Sequence, residues 1–578
     1  MDYRKIFSQW KTDDSILEEY RKELSLLTDE KDIEDRFYRE LEFGTAGLRG
    51  ILGAGTNRMN EHTVGKAAEG FSRYLKKKYV SAKVAVAYDS RIKSPEFAKI
   101  SARILASGGH HVFLYDSLRP VPLLSFAVRD LKCQGGIVIT ASHNPKEYNG
   151  FKVYSGYGGQ VTDDEAKMIL EEIGNIKSYS EIKAMDYDEA VKEGLISIIG
   201  KEVDDKYRTL MEGLTVRKSM VKDYAPELKI IYTPLHGSGL KPVTGLLTSL
   251  GYEDLTVVKE QAEPDGTFPT APYPNPENPE VFELALKLKE KIGADIIFAT
   301  DPDADRIGLI VTEGAGNNRV LTGNQTGMLL THYLLMSLAE EGKLPDDAAV
   351  IKTVVSTDSV KKICDSYNTT LFDVLTGFKY IGEKIEEFIE KKSHTFIFGF
   401  EESYGYLVGD YVRDKDAVVT SMMVCEMALY YKLKGMNLWD ALISVYEKYG
   451  FFEEGIISYT KKGIEGAALI IRSMDFFRNL ELKEIMGSPA VKKIDYLTGM
   501  IHDLKTGTVS ATDLPSSNVI KFMAEDDSWF VIRPSGTEPK MKAYMAVKGN
   551  TLEDAEIKNA SFREYVDMLV KKSFGETE

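Results

Sequence analysis

The feature that most constrains this chain is a recurring passage from a short apolar run into a polar loop. GGIVIT leads into ASHNP, ADIIFAT into DPDADR, TFIFGF into EESYG, and SWFVI into RPSGTEP. A second series, KVAVAYDSR, KIIYTPLHGSG and VIKTVVSTDS, precedes the first three of these in order. Short β-branched runs followed by amphipathic stretches, as in KVAVAYDS then SPEFAKISARILAS, predict α/β units with mainly parallel strands. In open α/β sheets ligands bind beyond the carboxyl ends of strands, where helix N-termini aim N–H groups outward. One specialised loop per domain, all facing a shared cleft, is therefore expected. Each loop alone is equally an ordinary strand end, but four chemically specialised ones together argue for the cleft.

A chain of 578 residues at about 150 residues per domain predicts roughly four domains. Charged helical stretches place the divisions near 205, 322 and 455, giving segments 1–205, 206–322, 323–455 and 456–578. The first forty or so residues, with SILEEYRKELSLL at helical spacing, predict a surface helical extension without visible chemistry. AEPDGTFPTAPYPNPENPE, residues 262–280, is too rich in Pro and Gly for a helix or central strand and predicts a long loop in the second domain.

Lys+Arg 73 against Asp+Glu 89 gives a net charge of −16, which argues against a nucleic-acid binder or a protein attached to anionic membranes, so any basic patch is local. No apolar stretch reaches membrane-spanning length, and MDYRKIFSQWKTDD lacks an apolar signal core. Cys133, Cys364 and Cys425 are odd in number and lack CxxC spacing, which fits a reducing, cytoplasmic setting and supports neither a disulfide framework nor a zinc knuckle.

DPDADR sets Asp301, Asp303 and Asp305 at alternate positions after an apolar strand. Three carboxylates so close repel one another unless a cation sits among them. An EF-hand is excluded because Arg306 and Thr312 stand where that loop needs Gly and Glu. Oxygen ligands without His or Cys favour Mg²⁺ over Zn²⁺. TASHNP puts Ser142 and His143 at another strand end, without the glycines of a G-x-S-x-G elbow. A serine hydroxyl needs a base or a metal to become a useful nucleophile. RPSGTEP offers Arg533, Ser535, Gly536 and Thr537, a cation with hydroxyls and backbone N–H groups suited to phosphate, though not a Walker A loop. EESYG supplies Glu401 and Ser403 for sugar hydroxyls, and FGTAGLRG, NGFK and TGFK place Arg49, Lys152 and Lys379 beside glycines.

In this order TASHNP, DPDADR, EESYG and RPSGTEP resemble the α-D-phosphohexomutase superfamily, which includes phosphoglucomutases and phosphomannomutases; the resemblance runs from FGTAGLRG to near the C-terminus. It implies an α/β fold of three related mixed-sheet domains plus a smaller α+β C-terminal domain around a central cleft. It implies that Ser142 carries a phosphoryl group and, with Asp301, Asp303 and Asp305, binds Mg²⁺. His143, Arg49, Lys152 and Lys379 would serve catalysis. Arg306, Thr376, Gly377, Glu401, Ser403, Arg533, Ser535, Gly536 and Thr537 would bind substrate, while His236 of TPLHGSG matches a recurring motif whose role is open. The implied reaction is reversible conversion of glucose 1-phosphate to glucose 6-phosphate through glucose 1,6-bisphosphate, with phosphomannomutase or phosphopentomutase as alternatives of the same mechanism. Phe400 in GFEESYG, where many phosphoglucomutases have Gly, resembles the branch with phosphopentose-active relatives. A metal-dependent sugar phosphatase and a noncatalytic phosphosugar-binding protein are the rival classes.

Overall fold

The structure is a computed structural model that describes residues 2–44, 47–314, 316–461, 463–535 and 540–576. The first sheet contains β1 (Gly47–Ile51), β2 (Lys83–Tyr88), β3 (His111–Tyr115), β4 (Gly135–Ile139), β5 (Tyr148–Ser155) and β6 (Ile196–Ile199), in the order β1-β5-β4-β2-β3-β6. The second holds β7 (Ile230–Thr233), β8 (Leu255–Val257), β9 (Ile296–Thr300), β10 (Ile307–Glu313) and β11 (Asn317–Val320), ordered β11-β10-β9-β7-β8. The third holds β12 (Ala348–Thr353), β13 (Thr370–Val374), β14 (Thr395–Glu401) and β15 (Gly405–Val408), ordered β13-β12-β14-β15.

One unit recurs in all three. The strands ending in the motif loops, β4, β9 and β14, lie parallel to β2, β7 and β12, which are the earlier strand series of the sequence. Beyond these, β3, β8 and β13 are parallel. On the other side β5, β10 and β15 return antiparallel. The sheets are thus parallel at the centre and mixed as wholes, because the motif loops are too short for the crossover that a parallel return needs. Residues of β4, β9 and β12 are buried at every position, since both sheet faces are covered, and the strands are apolar but for Thr300, Lys352 and Thr353 near their ends. Capping boxes, Thr162 with Glu165 and Thr322 with Gln325, start two of the covering helices.

A continuous apolar core runs from Tyr154 of the first sheet through Phe298 of the second to Phe398 and Met423 of the third. The fourth sheet is antiparallel throughout: β16 (Phe451–Thr460), β17 (Glu484–Ile485), β18 (Ser488–Asp495), β19 (Met500–Asp503), β20 (Val509–Ala511), β21 (Ile520–Ala524), β22 (Trp529–Pro534) and β23 (Lys540–Gly549). With helices Gly463–Asn479 and Leu552–Ser573 it forms an α+β domain that has its own core around Phe477, Phe530 and Phe562. Val354, Val355 and Leu375 of the third domain pack against Trp529, Val531 and Tyr544 of the fourth. Beside them the buried Lys352 ammonium pairs with Asp358 at 2.8 Å and Asp373 at 2.9 Å, and Lys521 of β21 reaches Asp358 at 3.2 Å.

Helices Tyr3–Thr12, Glu18–Ser25 and Glu30–Phe37 form the expected extension, packed around Trp10, Leu24 and Phe37. The division expected at 205/206 falls inside the helix Lys201–Gly213, and that at 455/456 inside β16, which pairs with β23 along its whole length. At 205/206 the charges read as a linker signal belong to an unbroken helix, and at 455/456 Glu453 and Glu454 are half-buried on an unbroken strand. Among the described residues no helix is long and apolar enough to cross a membrane.

Candidate active site

Ser142 follows β4 in a left-handed backbone conformation, φ +53°, and is almost wholly buried. Such a φ is unfavourable for a residue with a Cβ and persists only where the surroundings hold it. Here its N–H donates to Thr140 Oγ1 (2.8 Å), and the Arg91 guanidinium donates to the carbonyls of Ser142, Asn144, Pro145 and Tyr148. Arg91 is itself buried against Asp89, Nε to Oδ2 3.3 Å. The Ser142 hydroxyl points out of this cradle, donating to Asp301 Oδ2 (2.8 Å) and lying 3.1 Å from His143 Nδ1. Burial, then the charges of Arg306 and Arg49, hold the His143 imidazole well below its ordinary range, so it is neutral.

The carboxylates of Asp301, Asp303 and Asp305 are buried and offer oxygens that lie within 4.8 Å of one another. Ala304, at φ +47°, turns the chain so that the alternate aspartates converge. Asp301 Oδ1 accepts the N–H groups of Asp305 (3.1 Å) and Arg306 (3.0 Å). Asp303 Oδ2 takes Thr140 Oγ1 (3.0 Å) and Lys152 Nζ (3.1 Å), and Lys415 Nζ sits 3.2 Å from Asp305 Oδ2. Asp303 Oδ1 and Asp305 Oδ1 are buried without a hydrogen-bond partner among the described residues. Burial, with the neighbouring carboxylates, drives Asp301 well above the usual carboxyl range and raises Asp305; at Asp303 burial is outweighed by Lys152 and Lys415, and its carboxyl lies low. Two orphaned acceptors beside a serine hydroxyl are the donor set of a hard divalent cation.

The third loop follows β14. Glu401 is buried, its Oε1 accepting the N–H of Gly377 (2.9 Å), where φ of +122° suits only glycine. Burial pushes its carboxyl up to about 7, against the pull of Lys415. Thr376 Oγ1 is buried without a hydrogen-bond partner among the described residues, and Ser403 lies half-buried on the turn after Glu401. Phe400 points away from the cleft, stacked on Phe398 with centroids 5.7 Å apart, and packs at Gly327. Across the cleft lie Arg533, near the end of β22, and Ser535 just after it, with Lys540 and Lys542 on β23. Gly536 and Thr537 lie outside the described residues.

Ser142, His143, Arg49, Lys152, Asp305, Arg306, Lys415, Arg533 and Ser535 line one cleft of about 780 Å³. Family models for phosphoglucomutase/phosphomannomutase alpha/beta/alpha domains I, II and III match residues 40–180, 209–314 and 322–449. The chain belongs to the phosphoglucomutase/phosphomannomutase family. It is 36% identical over 515 residues to a phosphoglucomutase of Staphylococcus saprophyticus, covering 89% of this chain and 92% of that protein. It is 38% identical over 512 residues to one of Staphylococcus epidermidis, covering 88% and 90%. The fold matches the putative phosphomannomutase of Thermus thermophilus with TM-score 0.67 at 22% identity, covering 92% of this chain and 99% of that one. It also matches the open form of the Paramecium phosphoglucomutase parafusin with TM-score 0.68 at 18% identity, covering 93% and 95%. As a family member the chain is a phosphohexomutase, an isomerase.

Lys379 is not at this centre: its ammonium pairs with Asp163 of the first domain at 2.6 Å. His236 is also set apart, with Nδ1 3.1 Å from the Glu263 carbonyl and Nε2 2.9 Å from Thr270 Oγ1, so it pins the Pro-rich loop. Arg91, Lys415 and Glu277 were missed. VRDKDA around Lys415, a charged run between apolar elements, was a usable signal; Arg91 and Glu277 had none. The extension was expected to carry no chemistry, yet Asp35, Tyr38 and Arg39 line the cleft, because the segment folds back on the first domain through Arg58 and Asp35 (2.7 Å).

Proposed function

We propose that this family member interconverts α-D-glucose 1-phosphate and glucose 6-phosphate, with Ser142 as the phosphoryl carrier. The hydrogen bond of the Ser142 hydroxyl to Asp301, made 159 residues away in sequence, carries this reading. Asp301, Asp303 and Asp305 with the oxygen of Ser142 would hold Mg²⁺, which supplies charge neutralisation at the transferring phosphoryl group. In the first half-reaction the bond from phosphorus to Ser142 Oγ breaks and one to the free sugar hydroxyl forms. The proton of that hydroxyl passes to a base, for which neutral His143 is placed. Lys152 and Arg306 are placed to offset charge on the phosphoryl oxygens, and catalysis is then mainly positioning and electrostatics. Glucose 1,6-bisphosphate stays bound, turns over, and returns its other phosphate to Ser142. Glu401, Ser403, Thr376 and Gly377 would read the sugar hydroxyls, while Arg533, Ser535, Gly536 and Thr537 would hold the resting phosphate and Arg49 would serve at the reaction centre beside Ser142.

Glucose is favoured over mannose or pentose by the Staphylococcus relatives, which are named phosphoglucomutases. Three buried free cysteines suit a reducing cytoplasm. Assaying glucose, mannose and pentose 1-phosphates, with and without bisphosphate, tests the reading. Glucose 1-phosphate is expected to turn over fastest, with isomerisation far exceeding release of free phosphate; phosphate release at the isomerisation rate would make the protein a phosphatase.

A further inference from the structure

The Pro-rich loop 262–280 carries no motif, yet it is built into the site. His236 holds it at Glu263 and Thr270, Gly266 pairs in a parallel bridge with Arg91, and the ring of Phe268 lies 5.0 Å from the Arg91 guanidinium. At the far end of this loop Glu277 Oε1 accepts a bond from Arg306 Nη1 at 2.8 Å. Next to that bond lies an unmade one. Arg306 Nε and Asp305 Oδ1 are 3.9 Å apart, both buried and both without a hydrogen-bond partner among the described residues. At this distance they are a loose ion pair; a modest rotation of the guanidinium would close it to a hydrogen bond, which would occupy an Asp305 oxygen of the triad. Glu277 pulls the guanidinium the other way, and its charge offsets that of Arg306 next to the cation site.

From this geometry we infer that Glu277 is a positioning residue that holds Arg306 off Asp305 and so keeps the acidic triad open to a divalent cation. The inference rests on the metal reading above. It also accounts for the loop, since the same segment that braces Arg91, and through it the Ser142 loop, sets the guanidinium beside the triad.

Calorimetric titration of the full chain with Mg²⁺ alone tests it. Glu277→Ala is expected to weaken Mg²⁺ binding about tenfold or more, the usual effect of losing a partner that orients a metal site. Glu277→Asp is expected to recover part of the loss. Glu277→Gln, which keeps the shape and an acceptor but not the charge, is expected to fall between wild type and Glu277→Ala and remains informative if the alanine variant folds poorly. Wild-type affinity in both Glu277→Ala and Glu277→Gln, with Asp303→Asn as the non-binding control, would overturn the inference alone. Absence of Mg²⁺ binding by the wild-type chain would overturn the metal reading and the inference with it.

Discussion

Glu401 shows how much a single buried carboxyl ties stability to function. Its carboxyl is pushed from an ordinary 4.5 up to about 7, chiefly by burial. A raised folded-state value means that the group's contribution is fully present below about 4.5 and is lost as pH rises through about 7. Glu401→Gln, neutral at every pH, is therefore expected to be more stable than wild type above pH 7 by roughly 1–3 kcal/mol, with the gap closing as pH falls toward 4.5; urea unfolding at several pH values measures this. In the same variant KM for glucose 1-phosphate is expected to rise at pH 8, because the ionised acceptor for sugar hydroxyls is gone. A stability gap independent of pH would contradict the assignment. Ser142, the aspartates and Glu401 were legible as residues because each motif is contiguous in sequence. Arg91 was not, since it bonds to carbonyls more than fifty positions away, and the charged run around Lys415 did not reveal that Lys415 meets Asp305 from another domain. Nothing local marks such contacts.

At the scale of elements, each of the first three motif loops stores a left-handed residue that is not glycine: Ser142, Ala304 and Tyr404, with φ of +53°, +47° and +65°. Strain of this kind needs bracing from outside the loop. For the Ser142 loop the brace is Arg91, on the turn after β2, which is the parallel neighbour of β4. Arg91→Ala would leave Asp89 buried and unpaired and is expected to cost about 3–5 kcal/mol in unfolding free energy. Arg91→Lys retains the charge but cannot reach four carbonyls; kcat is expected to fall with little change in Mg²⁺ binding, and unchanged kcat would show that the loop is braced otherwise. The strand and loop series was legible from apolar runs and turn residues. Strand direction was not, because the antiparallel return of β5, β10 and β15 follows from loop length and pairing, and apolar content alone does not reveal it.

Across the whole molecule, one core unites the first three domains, while the fourth has its own and docks through Trp529, Val531 and Tyr544. The Ser142 and Asp301–Asp305 loops therefore share one core, and Arg533 rides on a separately cored domain. Trp529→Ala, which empties the centre of the docking face, is expected to destabilise by about 3–5 kcal/mol and to raise KM for the sugar phosphate while leaving Mg²⁺ affinity as in wild type. Equal losses in both would mean that the four domains act as a single body. The net charge of −16 describes the exterior, since Arg49, Lys152, Arg306, Lys415 and Arg533 gather in the cleft. If these loops form one phosphoryl-transfer centre on Ser142, a single labelling experiment decides it. The protein is charged with isotopically labelled glucose 1,6-bisphosphate, the label is located by peptide mass spectrometry, and the charged protein is chased with unlabelled glucose 1-phosphate. One phosphoryl group is expected on the Ser142 peptide, passed on to glucose phosphate during the chase and absent in Ser142→Ala; label on another residue, or released only as free phosphate, would contradict a Ser142 carrier.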